Sequence, residues 1–534
     1  MTLHPFIIGE HPFDLDAFVA VCRGRRRLRL GDQAREAVAR CLAMRRELEQ
    51  GTARIYGVNT GFGKLADTVI PASQLLDLQR NLIRSHAVGW GPPLSRTEAR
   101  GMVLLRAMSL AGGHSGVRPE VIDQLIWLLE AGVTPWIPGR GSVGASGDLA
   151  PLAHLALVLM GEGHVLDETG SPRPAGPVLA DHGRAPLVLE AKEGLALING
   201  TQLMTSLGLH AVARAHGLVR NALVATALTI EALEASMKPF GAEYHRLRPH
   251  RGIMDAAAVL SGLLRDSEVM MAHRDCGRVQ DPYSVRCAPQ VVGSSLDQIR
   301  RAGDVLLLEA VAVTDNPVLM PDSGEVVTGG HFHGQPLALQ LDALYAACAE
   351  VANVAERRVN LLLSGNGGRL PRFLAADPGL ESGLMIAQYL AAALVSETRS
   401  KAFPAAVDSI PTSDGQEDHV SMGSVSALKL AACLDRCEAV IALELLTAGR
   451  ALEFITGEAS ARRLGRSPMR PAPALDLVLA ALRAAVDLGP GDRPLTADLQ
   501  TVQELIRRET LLAGLDDHLA PLQEGADDDR PTSA

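Results

Sequence analysis

The stretch "GSVGASGDLAPLAH", residues 141–154, places Gly141, Ser142, Gly144, Ala145, Ser146 and Gly147 in the seven positions ahead of Asp148, then resumes an apolar helical pattern. Side chains this small let the backbone bend where a helix would otherwise run on. The run is a break in a chain patterned for helices. Of the 534 residues, 47% are hydrophobic but only 3% aromatic, which implies a large core of Ala, Leu and Val. The expected fold is all-α: a long central helix bundle with a smaller N-terminal region that carries the irregular loops.

Helix signals recur on both sides of the break. In "SRTE", Ser95 and Glu98 form a capping box ahead of an apolar run that stops at Gly112 and Gly113. Pro119 suits a first helical position, and Gly132 ends that segment. Longer periodic runs cover about 202–237, 294–313, 336–364, 379–402 and 420–457. Apolar helices of that length need partners along their whole surface, so an oligomer is expected. No linker or repeat divides the chain. The regions anticipated are 1–200, which holds the unusual loops, a helical bundle over 201–523, and a disordered tail over 524–534, "EGADDDRPTSA".

Composition also limits the partners. A formal charge of -10 argues against nucleic acid, which is bound through cationic side chains, so a small molecule is the expected ligand. Seven cysteines, at 22, 41, 276, 287, 348, 433 and 437, are odd in number and lack a disulfide spacing, which fits a reducing cytoplasm. The opening "MTLHPFIIGEHPFD" carries acids and prolines where a signal peptide needs an apolar run. His210, Arg214, His216 and Arg220 interrupt the apolar segment 202–237, so no membrane span is expected there.

Chemistry must sit on the breaks between helices. Those with unusual residues are "YGVNTGFG" (56–63), "RSHAVG" (84–89), "GSVGASGD" (141–148), "LINGTQ" (197–202), "VQDPYSVRC" (279–287), "GGHFHGQP" (329–336) and "PTSDGQEDH" (411–419). The first lacks both phosphate-loop spacings. "GASGD" misses the GxSxG spacing, and no strand is expected ahead of it. "HFH" and "EDH" contain metal-ligand types without a matching framework, and no metal is expected.

Two readings of Ala145-Ser146-Gly147 stay open on composition. One is a tight turn capping the helix that begins near Asp148. In the other, the Gly147 nitrogen closes on the Ala145 carbonyl carbon with loss of water, and loss of the Ser146 hydroxyl leaves a conjugated methylene. That group would be an electrophile, which no ordinary side chain provides.

These blocks, in this order, together with "LALINGTQ" and "QEDHVSM", resemble the aromatic amino acid ammonia-lyase family, and its histidine-acting branch most closely. The matches run from Tyr56 to Met422. The resemblance implies mainly helical homotetramers with active sites shared between chains. It implies a 4-methylideneimidazole-5-one (MIO) group formed autocatalytically from Ala145, Ser146 and Gly147, with no external cofactor. The implied reaction is non-oxidative loss of ammonia from L-histidine to give trans-urocanate, in the setting of histidine breakdown; the alternative is a 2,3-aminomutase or a lyase for another aromatic amino acid.

By the same resemblance Tyr56 is the base. A phenol titrates near 10, so positive charge or helix N-termini must lower it against the effect of burial. Asn199 and Tyr283 are carried over as catalytic partners. Arg286 is the expected clamp for the substrate carboxylate, with Gln280 as polar lining and Phe332 as an apolar wall. His86 and Glu417 match the pair placed around the imidazole, and Met385 fits the histidine branch. Departures from the family pattern are Met108, His331, Lys401, Phe403 and Asp414-Gly415.

Overall fold

Ser95 and Glu98 cap each other reciprocally at the start of helix Arg96–Ala111, whose residues from Ala99 onward are buried on every face. A helix with no polar side lies inside a domain rather than on it. This computed structural model describes residues 4–51, 54–61, 63, 67–272, 279–465 and 467–523. Among them, helices dominate, and the strands form four separate two-stranded pairs. The all-α expectation holds. The tail 524–534 and Cys276 lie outside the described residues.

The long periodic runs fold as helices Gln202–Ala232, Ala288–Ala310, Gln335–Leu363, Met385–Ser400 and Gly423–Thr456. Buried polar residues on Gln202–Ala232 bond within the helix: Thr205 donates to Thr201 O at 2.8 Å and Asn221 to Gly217 O at 2.9 Å. This meets their hydrogen-bonding needs without water. Among the described residues, 202–237 does not reach the length and apolar composition needed to cross a membrane, as expected, whereas Gln335–Gly368 does, with 61% of its most apolar window buried inside the structure.

Contacts divide the chain into two compact units. One comprises Met1–Ala213, Ala302–Asp342 and Pro404–Leu430; the other comprises Arg214–Arg301, Ala343–Phe403 and Ala431–Ala534. In the second unit, Arg358 and Glu444 form an ion pair with no exposure, and Thr229 adds a hydrogen bond to the same carboxylate at 2.8 Å. That extra donor helps offset the cost of burying the carboxylate.

In the first unit, a three-residue strand, Pro138–Arg140, pairs antiparallel with Trp90–Pro93. The expectation of no strand before the small-residue break is thus corrected: strand, turn and helix follow one another over 138–159. Helix Leu75–His86 ends just ahead of Trp90–Pro93, so this pairing brings the His86 segment to the break. A Cβ on Gly141 would stand 2.7 Å from Val88 O.

Candidate active site

The turn at 142–148 is fixed from two sides. From the start of helix Gly423–Thr456, Met422 N donates to Val143 O at 2.9 Å, Ser421 Oγ to Gly144 O at 2.9 Å and Ser424 Oγ to Ser142 O at 2.5 Å. On the other side, Asp148 N donates to Gly200 O at 2.7 Å. Gly147 has φ +79, and a Cβ there would lie 2.2 Å from that same Gly200 O. Only glycine satisfies both the dihedral and the contact. Ala145 is buried and Ser146 half-buried.

Asp148 precedes helix Leu149–Leu159, yet its side chain does not cap it. Oδ2 instead accepts from Leu203 N at 2.9 Å and Met204 N at 3.1 Å, and Oδ1 accepts from Ser142 Oγ at 2.8 Å. The simple capping reading is corrected: the acid closes the start of a different helix. Fully buried, its carboxyl is pushed up to about 6 despite these donors.

Asn199 ends helix Glu193–Ile198 and donates Nδ2–H to Ser146 O at 3.2 Å. Its Oδ1 is buried and has no partner among the described residues. Beneath it, the unexposed Arg106 donates to Asn199 O at 2.7 Å, Gln202 Oε1 at 3.1 Å and Ser109 Oγ at 3.1 Å.

Ser146 Oγ donates to Glu417 Oε1 at 2.5 Å. The other oxygen of Glu417 accepts from Thr412 Oγ1 at 2.5 Å, and the two residues exchange backbone hydrogen bonds of 3.0 and 3.3 Å. Between them, Ser413, Asp414 and Gly415 all have positive φ. The turn thus holds the carboxylate against the triplet.

Two further groups feel the charge of Glu417. His86 Nδ1 faces Leu82 O at 2.9 Å; a carbonyl only accepts, so Nδ1 carries a proton. Burial lowers the His86 pKa, opposed by that hydrogen bond and by Glu417. The Tyr56 hydroxyl accepts from Gly63 N at 3.3 Å. Burial raises the Tyr56 pKa, the Gly63 N–H opposes it, and Glu417 raises it further. Phe332 is half-buried two residues before Gly334, whose N–H meets Gly144 O at 3.4 Å.

The first unit therefore gathers Tyr56, His86, Ala145, Ser146, Gly147, Asn199, Phe332 and Glu417. Gln280, Tyr283, Arg286 and Met385 belong to the second. There Arg286 donates to Asp281 O and Gln280 Oε1, each at 2.9 Å, and lies 4.6 Å over the Tyr283 ring. Met385 opens helix Met385–Ser400, and Asp492 holds the preceding loop by accepting Ser382 N and Gly383 N at 2.8 Å each. Among the described residues no three metal-ligating side chains converge.

Sequence reasoning missed Thr412, Arg106, Ser421 and Ser424. The Asp414-Gly415 turn signal could have brought Thr412 back to Glu417. Nothing local marks Arg106, which lies 93 residues from Asn199 in sequence.

A sequence profile described as aromatic amino acid lyase matches residues 13–484. A curated histidine ammonia-lyase of Aromatoleum aromaticum is 48% identical over 90% of this chain and 89% of its own. The crystal structure of histidine ammonia-lyase from Trypanosoma cruzi superposes with TM-score 0.86 at 38% identity, covering 97% of this chain and 96% of that one. Tyrosine aminomutase from Streptomyces globisporus gives TM-score 0.87 at 36% identity over 97% and 99%.

Proposed function

Because this chain belongs to the aromatic amino acid lyase family, we propose that it removes ammonia non-oxidatively from L-histidine and releases trans-urocanate. The observation that carries the substrate assignment is the carboxylate of Glu417, held 2.5 Å from the Ser146 hydroxyl. An imidazole N–H has an acceptor there; a phenyl ring would leave the charge unpaired.

The residues of the triplet suit the prosthetic group that family members use. Gly147 is confined to a backbone that tolerates no Cβ, Asn199 holds the Ser146 carbonyl, and Asn199 Oδ1 is a buried acceptor left over. The MIO group of this family, which Ala145, Ser146 and Gly147 would form here autocatalytically, supplies an electrophile for the substrate nitrogen. Asn199 Oδ1 accepts a hydrogen bond from the substrate amine. Tyr56 removes the β-hydrogen as phenolate. Glu417 accepts one ring N–H, and His86 Nε2 faces the other nitrogen. Phe332 and Met385 are apolar walls.

Arg286 binds the substrate carboxylate through its planar fork, with Gln280 and Tyr283 beside it. A homotetramer with shared sites lets neighbouring copies bring these residues to the triplet. Its support is apolar exposure in the single chain: Tyr283 is 71% exposed and Phe403 74%. Free thiols at all described cysteines favour a reducing, cytoplasmic setting.

The test is to mix purified chain, without added cofactor, with L-histidine, L-tyrosine and L-phenylalanine separately, and to follow acrylate absorbance and ammonia. Urocanate from histidine alone is expected. The second reading, an aminomutase, rests on the likeness to the Streptomyces globisporus structure and on His331, and it requires a β-amino acid among the products.

A further inference from the structure

The bond between Ser146 and Glu417 exists only while Ser146 keeps its hydroxyl. We propose that Glu417 is the general acid that expels this hydroxyl as the triplet matures, and that the same event frees Glu417 for substrate. The inference rests on the proposed family chemistry at Ala145-Ser146-Gly147.

The carboxylates around the turn divide the work unambiguously. Asp148 is occupied by Leu203 N, Met204 N and the Ser142 hydroxyl. Ser421 and Ser424 donate to backbone carbonyls of the turn. Ser146 alone among these hydroxyls meets Glu417, and Thr412 pins the far oxygen so that Oε1 faces Ser146. A carboxyl within hydrogen-bond reach of a departing oxygen is geometrically placed for general acid catalysis.

The steps balance as two dehydrations. In the first, a bond forms between Gly147 N and the Ala145 carbonyl carbon, a double bond forms from that carbon to Ser146 N, and the carbonyl oxygen leaves as water with the Gly147 and Ser146 amide protons; in the second, the Ser146 Cα–H gives its proton to solvent. There the electron pair of that Cα–H bond becomes the Cα–Cβ double bond, and the Cβ–Oγ bond breaks toward oxygen. Glu417, a carboxylate while it accepts from the Ser146 hydroxyl, takes up one proton from solvent and passes it to the departing oxygen; the hydroxyl leaves as water and Glu417 returns to the carboxylate. Glu417 Oε1, its partner gone, can now accept a substrate ring N–H.

The experiment follows freshly synthesised full-length chain by intact mass and by the difference absorbance of the conjugated group, neither of which needs substrate. The parent should lose two waters. Glu417→Gln keeps a hydrogen-bonding group but has no acidic proton, and should lose the second water roughly a hundredfold more slowly. Thr412→Val, which only frees the carboxylate to rotate, should slow the same step to a smaller degree. Loss of both waters from Glu417→Gln at the parental rate would overturn the proposal, as would, if that variant does not fold, an unchanged rate in folded Thr412→Val. A parent that retains both waters refutes the family chemistry itself, a result distinct from either variant outcome.

Discussion

Arg106 donates to the carbonyl of Asn199 at 2.7 Å from a position with no exposure. None of its hydrogen bonds goes to a carboxylate, so burial lowers its pKa to about 10, with only the charge of Asp315 opposing. Such a cation is costly to hold. What it holds is the Asn199-Gly200 turn, which reaches both Ser146 O and the Gly147 backbone. Arg106→Met leaves Asn199 O and Gln202 Oε1 buried without this donor, while Ser109 Oγ keeps Thr314 N at 3.5 Å, and should cost about 3 kcal/mol of stability, read from thermal or denaturant melts. Arg106→Lys should retain more of both stability and triplet maturation. Equal losses in the two variants would reduce Arg106 to a packing role.

Asp148 sets a pH dependence of folding. Its carboxyl, ordinarily at 3.8, titrates at about 6 in the folded chain, so the folded state binds its proton more tightly than the unfolded state does. The stability this contributes is fully present below the unfolded value and is lost as pH rises through about 6. Asp148→Asn keeps an acceptor for Leu203 and Met204 but cannot titrate. Between about pH 4 and 7 the difference in unfolding free energy between parent and variant should change by about 3 kcal/mol. His216, held down at about 4 by burial, Arg220 and Arg300, acts in the opposite direction and cancels in this comparison.

Tyr56 is the proposed base; burial raises its pKa, the Gly63 N–H opposes this, and Glu417 adds to it. In the parent, kcat/KM should climb with pH from about 7 to 9 as the phenolate fraction grows. Tyr56→Phe should lower kcat by roughly a thousandfold while the chain still loses its two waters. A Phe variant with parental kcat would remove Tyr56 from the chemistry.

His86 bears on substrate choice. Its Nδ1–H is committed to Leu82 O, leaving Nε2 for the ligand. For His86→Leu we expect kcat/KM on histidine to fall by about 2 kcal/mol, roughly thirtyfold, with thermal stability unchanged. A matching loss of thermal stability would indicate a structural role only.

Much of the architecture was legible in local pattern. Ser95 with Glu98 and Pro119 mark helix starts that the structure reproduces, and the long periodic runs became helices with ends shifted by a few residues. Those shifts, such as Ala232 for 237, reflect end contacts that periodicity does not encode. The short strand Pro138–Arg140 was missed because its pairing partner, Trp90–Pro93, is distant in sequence. The bonds of Asp148 to Leu203 N and Met204 N were not legible for the same reason.

By itself the sequence determined the helical class, the family, and a triplet small enough to bend on itself, because periodicity and residue size are local properties that survive without a neighbour. Only tertiary structure decided that Glu417 meets Ser146 across 271 residues, that Asp148 caps the start of helix Gln202–Ala232, and that Arg106 lies beneath Asn199. Hydrogen bonds depend on distance in space, and the separation of two residues along a chain does not specify it.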